Sequence, residues 1–184
     1  MAHIFFDTEF TGLHKNTTLI SIGLIAENGK KFYAELNDYN KNQVNNWIQE
    51  NVIDNLLNRS DDNDYCTPNW YYWGNKQFVG EKLFKWLQQF DEVEWVSDVC
   101  HYDFVLLIDL VYGHAFNMPY GKHCSACHDI NQDIAEYYCI SEIEAFDKSR
   151  EDILKESGKE IEGIKHHALY DAKVIKAIYE FMLE

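Results

Sequence analysis

The chain has 184 residues, of which 46% are hydrophobic and 15% aromatic, a composition typical of one folded domain over residues 1–184. No stretch approaches the roughly 18 consecutive apolar residues of a membrane span, and no secretory signal accompanies the five cysteines, so we expect a cytoplasmic protein with reduced thiols. The formal net charge of −15 argues against long duplex nucleic acid as a partner, but not against a few nucleotides at a chain end.

The predicted elements are three strands followed by alternating helices and strands. Apolar runs predict strands over residues 4–13, 19–26 and 32–36, and Asn28-Gly29 is a hairpin signal between the second and the third. The other predicted elements are, in chain order, a helix over 43–57, a loop over 59–77, a helix over 78–90, a strand over 93–99, a helix over 102–112, a strand over 123–127, helices over 129–140 and 144–157, and a last helix over 168–183. This order predicts an α/β fold with a mixed five-stranded sheet flanked by helices.

The loop over residues 59–77 holds an acidic run and an aromatic run. The acidic run, Asp61–Asp64, lacks the glycine and the downstream glutamate of a calcium-binding loop, so we interpret it as solvated. The aromatic run, Trp70–Trp73, has two interpretations. Its rings could stack on nucleic acid bases, or they could belong to the core or to a contact between protein copies.

Four carboxylates occupy positions that the pattern predicts to face inward. Asp7 and Glu9 lie two apart on the first strand, so both side chains leave on one face. Asp103 and Asp171 lie on the apolar stripes of two later helices, where a single aspartate could also be a helix cap. Four inward carboxylates would repel one another unless hard divalent cations lay between them, and oxygen ligands favour Mg²⁺ or Mn²⁺.

A histidine pair, His166 and His167, precedes Asp171. Five residues advance a helix by about 500°, so on a continuous helix His166 would diverge from Asp171, and we place it in the loop that enters the last helix. From there its imidazole could take a proton from water as a general base. The alternative is a pair of surface histidines near a helix start.

These motifs resemble those of the DEDDh 3′–5′ exonucleases. The segment Asp7–Leu13 resembles the first motif of that family, Tyr102-Asp103 the second, and His166–Ala172 the third. The resemblance implies a ribonuclease H-like three-layer fold. It also implies hydrolysis of phosphodiester bonds from the 3′ end of single-stranded or short nucleic acid, with release of nucleoside 5′-monophosphates.

The resemblance also implies a metal site. It implies two divalent cations, Mg²⁺ or Mn²⁺, held by Asp7, Glu9, Asp103 and Asp171, with His166 as the general base.

It further implies that Phe10, Thr11, Gly12 and Leu13 contact the terminal nucleotide. The small size resembles the exoribonuclease branch that includes ribonuclease T, oligoribonuclease and ribonuclease AS. That branch implies RNA more than DNA as the substrate, and a possible homodimer. A DNA-directed exonuclease of the same fold stays an alternative.

The second motif departs from the family pattern. An asparagine often precedes the aromatic-aspartate pair in the family, whereas Asp98 and three further residues precede it here. Asp98 or Asp109 could therefore compete with Asp103 for the ligand role. We favour Asp103 because it follows an aromatic residue and lies squarely on the apolar stripe.

Two other classes of function compete with the nuclease. Residues Cys124–His128 spell C-x-x-C-H, the attachment signature of a c-type haem, and Cys124, Cys127 and His128 could also bind zinc. The strand-like context, which would point the two thiols to opposite faces, argues against both. A non-catalytic nucleic-acid-binding module on the same fold is the other alternative, and the presence of all five catalytic positions argues against it.

Overall fold

A computed structural model describes residues 1–57 and 69–183, and it contains a six-stranded mixed sheet in the order β4-β3-β2-β1-β5-β6. The strands are β1 (Ala2–Phe10), β2 (Leu19–Ala26), β3 (Lys31–Leu36), β4 (Tyr71–Gly74), β5 (Val93–Ser97) and β6 (His123–Asp129). The α-helices are α1 (Asn46–Asn51), α2 (Lys76–Leu87), α3 (His101–Val111), α4 (Ile130–Tyr138), α5 (Glu142–Asp147), α6 (Arg150–Ser157) and α7 (Ala168–Met182), with 3-10 turns at Lys41–Gln43, Ile53–Asn55 and Ala115–Asn117. Among the helices of these described ranges, none combines the length and hydropathy that a membrane crossing requires.

The prediction of five strands was wrong, because β4 lies inside the segment that we predicted to be a loop. This edge strand runs parallel to β3, with Tyr71 opposite Tyr33. Its four residues carry no alternation of apolar and polar side chains, so the periodicity that identifies a half-buried strand is missing. The acidic run over residues 61–64 lies outside the described residues.

The aromatic run Trp70–Trp73 packs mainly on the sheet. Tyr71 stacks on Tyr33 with ring centroids 5.8 Å apart, and Tyr72 stacks on Phe32 at 5.0 Å. Trp73 is half-exposed. The core interpretation of this run therefore describes it better than the base-stacking one.

Two of the predicted helices are broken by local caps. The region 43–57 forms the short helix α1 between two 3-10 turns, because the Asn45 side chain accepts a hydrogen bond from the Ile48 amide and starts α1 there. The region 144–157 divides into α5 and α6. The side chain of Ser149 caps α6 by accepting a hydrogen bond from the Asp152 amide.

Helices cover both faces of the sheet because its central strands are apolar on both sides. Neighbouring residues of a strand point to opposite faces, and Phe6 packs with α2 and α3 whereas Phe5 packs with α4 to α7. All eight residues of β2 are buried. The molecule is therefore a three-layer structure, as the resemblance to the DEDDh exonucleases implies.

Gly23 on β2 brings the start of α7 directly onto the sheet. A Cβ atom built on Gly23 would lie 2.2 Å from the backbone nitrogen of Leu169, closer than any side chain can come. Gly23 also pairs with Asp7 across the β1–β2 ladder. The missing side chain thus lets the first turn of α7, which carries Asp171, lie beside the carboxyl end of β1.

Candidate active site

A pocket of about 900 Å³ opens at the carboxyl end of β1. Its lining comes from β1 and the loop after it, from α1, from the β5–α3 connection, from the α5–α6 connection and from the start of α7. Segments from opposite ends of the sequence therefore meet at one site.

Three of the predicted ligands converge in this pocket. Asp7, Glu9 and Asp171 each offer a carboxylate oxygen, and these oxygens lie within 4.8 Å of one another. Within the described residues, they form the one group of three or more histidine, cysteine, aspartate or glutamate side chains whose ligand atoms all lie this close together. Asp7 and Glu9 leave β1 on the same face, and Asp171 reaches them from the first turn of α7.

The fourth predicted ligand, Asp103, lines the same pocket but lies outside that group. It is buried in the first turn of α3, and its Oδ1 accepts hydrogen bonds from the backbone amide of Thr8 at 2.9 Å and from the Thr8 hydroxyl at 2.5 Å. One Asp103 oxygen is therefore fixed to β1 at Thr8, the residue that lies between Asp7 and Glu9 in the sequence.

Burial raises the pKa of all four carboxyl groups, and neighbouring carboxylates raise it further. Burial and then repulsion from Asp171 and Asp103 raise the pKa of Glu9 to about 8. Burial raises the pKa of Asp171 to about 7 and that of Asp103 to about 6, although hydrogen bonds from backbone amides lower both. Burial and the neighbouring carboxylates raise the pKa of Asp7 well above its usual range.

The donor set fits a hard divalent cation. All the converging atoms are carboxylate oxygens, the ligands that Mg²⁺ and Mn²⁺ prefer. Among the described residues, none of the four carboxylates forms an ion pair with lysine or arginine. Their mutual repulsion is thus left for a bound cation to relieve.

His166 lies in the loop before α7 and lines the pocket, as the sequence predicts. Its backbone is left-handed, with φ +63°, and its ring meets the ring of Trp47 edge-on, with centroids 5.0 Å apart. Burial and the nearby charge of Lys165 lower the pKa of His166. The imidazole is therefore neutral at physiological pH and able to accept a proton.

Val99, another pocket residue, also has a left-handed backbone, with φ +55°. Such a conformation costs free energy for a β-branched residue, so the surrounding structure must hold it in place. Strain at Val99 and His166 marks the two connections that deliver the start of α3 and the start of α7 to the pocket.

The segment after β1 contributes unequally to the pocket. Phe10, Gly12 and Leu13 line it, and Leu13 is 78% exposed. Thr11 is not among the pocket-lining residues; it is buried, and its hydroxyl donates a hydrogen bond to the Gln43 side chain at 2.6 Å. The structure thus gives Thr11 a supporting position and not the exposed one that a nucleotide contact by its side chain requires.

The competing aspartates have other partners. Asp98 lines the pocket, but Arg150 binds both of its oxygens, at 2.7 Å from Nε and 2.8 Å from Nη2, and Asn131 donates a further hydrogen bond at 2.9 Å. Asp109 pairs with Lys76 and does not line the pocket. Of the three aspartates, Asp103 is therefore the best placed to be the fourth ligand.

Several residues that shape the site were not predicted from the sequence. Trp47 belongs to an apolar helical stripe, yet it is 53% exposed and lines the pocket. Arg150 and Lys165 carry no motif, and the contact of Arg150 with Asp98 spans 52 positions. A glycine inside an otherwise apolar strand was the available signal for Gly23.

The C-x-x-C-H segment has other contacts. Cys124 is exposed on β6, whereas the thiol of Cys127 packs against the core and shares a hydrogen bond with Cys100. His128 pairs with Asp133 at 2.5 Å. The two thiols therefore lie in different surroundings, and within the described residues they form no metal-binding group.

Comparison with known proteins identifies related sequences. The family model described as the 3'-5' exoribonuclease Rv2179c-like domain matches residues 2–183. A curated relative, the 3'-5' exoribonuclease Rv2179c of Mycobacterium tuberculosis (strain ATCC 25618 / H37Rv), is 29% identical over 108 residues. That stretch covers 58% of this chain and 59% of the relative. The match thus spans less than two thirds of either protein.

Solved structures identify the fold. The nuclease domain of 3'hExo, a DEDDh family member bound to rAMP, aligns with a TM-score of 0.67 at 15% identity, over 99% of this chain and 91% of its own. The Mg²⁺- and Mn²⁺-bound form of S. pombe Pop2p aligns with a TM-score of 0.52 at 16% identity, over 98% and 82%. The predicted ribonuclease H-like fold is therefore confirmed, with six strands in place of five. Because the family model spans nearly every residue, the chain belongs to the 3'-5' exoribonuclease Rv2179c-like family.

Proposed function

We propose that this protein is a metal-dependent 3′–5′ exoribonuclease that releases nucleoside 5′-monophosphates from the 3′ end of single-stranded or short RNA. The observation that carries the proposal is the convergence of Asp7, Glu9 and Asp171 in one pocket, with Asp103 and His166 on its walls. Family membership supports the same activity.

In this proposal Asp7, Glu9, Asp103 and Asp171 hold two divalent cations, Mg²⁺ or Mn²⁺. The raised pKa values of the carboxyl groups support cation binding, because a cation stabilises the charged forms that burial and neighbouring charges disfavour. When bound, such a pair supplies Lewis-acid stabilisation of the attacking and leaving oxygens. The metal-bound form of Pop2p is consistent with such cations on this fold.

His166 acts as the general base. An unprotonated nitrogen of its ring takes a proton from the attacking water while the water oxygen forms a bond to phosphorus. The bond from phosphorus to the 3′ oxygen of the preceding nucleotide then breaks, and that oxygen leaves with the shortened chain. The low pKa of His166 supports this role, because the ring stays neutral near pH 7.

The terminal nucleotide binds along Phe10, Gly12 and Leu13, with Thr11 holding that segment in place. Exposed Leu13 and Trp47 give the pocket apolar surface for a base, and its volume of about 900 Å³ accommodates a nucleotide. RNA is the preferred substrate in this proposal, in line with the rAMP-bound 3'hExo domain. The homodimer and the single domain over residues 1–184 stay predictions.

A timed digestion tests the proposal. RNA and DNA oligomers of one sequence, labelled at the 5′ end, are incubated with the protein and Mg²⁺ or Mn²⁺, as single strands and as duplexes. We expect single-stranded RNA to shorten stepwise with release of 5′-monophosphates, and EDTA to stop the reaction. Internal cuts, or no cuts with either metal, would contradict the proposal, and faster shortening of DNA would reverse the substrate preference.

A further inference from the structure

Three cationic residues line the pocket: Lys148, Arg150 and Lys165. The chain has only 16 lysines and arginines against 31 acidic residues, so three cationic side chains around one pocket point to an anionic ligand. A nucleic acid strand needs cationic partners for the phosphates on either side of the bond that is broken.

Arg150 and Lys148 are already engaged within the protein. The guanidinium of Arg150 binds both oxygens of Asp98, and it also donates to the backbone oxygens of Ala145 and Lys148. The ammonium of Lys148 lies 3.9 Å from the centroid of the Tyr138 ring. These two charges therefore hold the α5–α6 connection together.

Lys165 differs because, in the part of the chain that the structure describes, its ion-pair partner is one exposed carboxylate, Glu151. Its Nζ lies 3.1 Å from Oε1 of Glu151, and the two side chains are 61% and 51% exposed. Ion pairs with this exposure are weak and exchange readily with other ions. The charge of Lys165 also reaches the site, since it lowers the pKa of both Asp171 and His166.

Glu151 is well placed to hold Lys165 until a phosphate arrives. Its other oxygen accepts a hydrogen bond from the Ser149 hydroxyl at 3.1 Å, which fixes the carboxylate at the start of α6. Hydrogen bonds from its own backbone amide and from Lys165 lower the pKa of Glu151, so it remains charged. The carboxylate and an incoming phosphate are both anions, and they would compete for the same ammonium group.

We propose that Lys165 is a substrate-binding residue that leaves Glu151 and pairs with the backbone phosphate next to the scissile one, with Glu151 as its competitor. This inference rests on the proposed exonuclease function. It predicts opposite effects for the two partners of one ion pair. Lys165→Ala should raise KM about tenfold, because it removes one charged contact of the bound strand. Its kcat should change much less when measured at about pH 8, where the His166 imidazole is neutral with or without the Lys165 charge. Glu151→Gln should lower KM about twofold, because it frees the ammonium group.

If the Lys165–Glu151 ion pair had only a structural role, the two variants would behave differently. The pair joins α6 to the loop that carries His166, so if its role were to hold that loop, both variants would lower kcat. Lys155→Ala is the matched control, since Lys155 also forms an exposed pair on α6, with Asp152 at 2.9 Å, and does not line the pocket. We expect its KM and kcat to equal those of the unmodified protein.

A substrate with one neutral linkage makes the test specific. An RNA oligomer with a methylphosphonate at the second linkage from the 3′ end is compared with the normal oligomer, and release of the first nucleotide is measured. We expect the neutral linkage to raise KM about tenfold for the unmodified protein and to have no further effect on Lys165→Ala. Independent effects of the two changes, or a lower kcat in Glu151→Gln, would overturn the inference. Failure of the proposed function would show separately, as no nucleotide release from either oligomer by the unmodified protein.

Discussion

The pKa of Asp171 is subject to two opposing effects, burial and hydrogen bonding. Burial raises its pKa to about 7, while the backbone amides of His166 and His167 donate hydrogen bonds that favour its charged form. The side chain is thus oriented by the loop before α7 yet left with an unfavourable charge. A carboxylate that is held in place but destabilised by burial is suited to bind a cation. Without a cation, its charge destabilises the folded protein.

Replacing Asp171 with Asn should separate activity from stability. We expect metal-dependent release of nucleotides to fall by about a thousandfold or more, because an amide is a poor ligand for a hard cation. We expect the Tm in EDTA to rise, because the substitution removes one of the repelling charges without changing the shape of the side chain. Nucleotide release and thermal unfolding of the same preparation measure both effects.

Asp109→Asn is the control for that substitution. Asp109 lies on α3 with Asp103 but pairs with Lys76 outside the pocket, so activity should be unchanged. If Asp171→Asn kept its activity, or if Asp109→Asn lost it, the assignment of the ligands would be wrong.

Some features of the site could be predicted from individual residues of the sequence, and others could not. The spacing of Asp7 and Glu9 fixes their common face because side chains alternate along a strand. The hydrogen bonds that tie Asp103 to Thr8 join residues 95 positions apart, and no local pattern encodes them. The left-handed backbone of His166 could not be predicted from the sequence either, because only a small fraction of histidines adopt that conformation.

At the scale of elements, the contact between β2 and α7 sets the geometry of the site. Gly23→Ala would place a methyl group against the backbone of Ala168 and Leu169, at 2.2–2.4 Å. The start of α7 would have to move, and Asp171 with it. We expect a loss of about 3 kcal/mol or more in the free energy of unfolding and a large loss of kcat in the protein that remains folded.

Gly80→Ala is the matched control for Gly23→Ala. Its Cβ would lie 2.4 Å from the carbonyl oxygen of Leu110, so it too should destabilise the fold, but at the contact between α2 and α3. Chemical denaturation and the kcat of the folded fraction distinguish the two variants. Equal kcat values would mean that the approach of α7 to β2 does not position Asp171.

The element boundaries show where local patterns are sufficient. The paired apolar strands β2 and β3 and the long helices α2, α3 and α7 match their predictions within a few residues, because each has its own periodicity. Strand β4 was missed since it depends on pairing with β3, and α1 was overextended since the cap by Asn45 competes with the apolar stripe. Nonlocal pairing and side-chain caps thus account for the differences.

The whole molecule concentrates carboxylates from three distant segments in one pocket, and this has a consequence for its stability. The folded-state pKa values of Glu9, Asp171 and Asp103, at about 8, 7 and 6, lie above those of the same groups in an unfolded chain, near 4. The contribution of these groups to the free energy of unfolding is therefore most favourable below about pH 4, where they are protonated in both states. It is lost progressively as the pH rises through about 8. A bound cation should restore it, since it favours the charged forms.

Thermal unfolding between pH 5.5 and 8.5, in EDTA and in excess Mn²⁺, tests this claim most directly. In EDTA, Glu9→Gln should be about as stable as the unmodified protein at pH 5.5 and roughly 3–6 °C more stable at pH 8.5, because glutamine carries no charge to repel its neighbours. Mn²⁺ should raise the Tm of the unmodified protein most at pH 8.5 and raise that of Glu9→Gln much less. If Mn²⁺ raised both equally, or if the difference in EDTA did not change with pH, the carboxylates would not form a shared cation site.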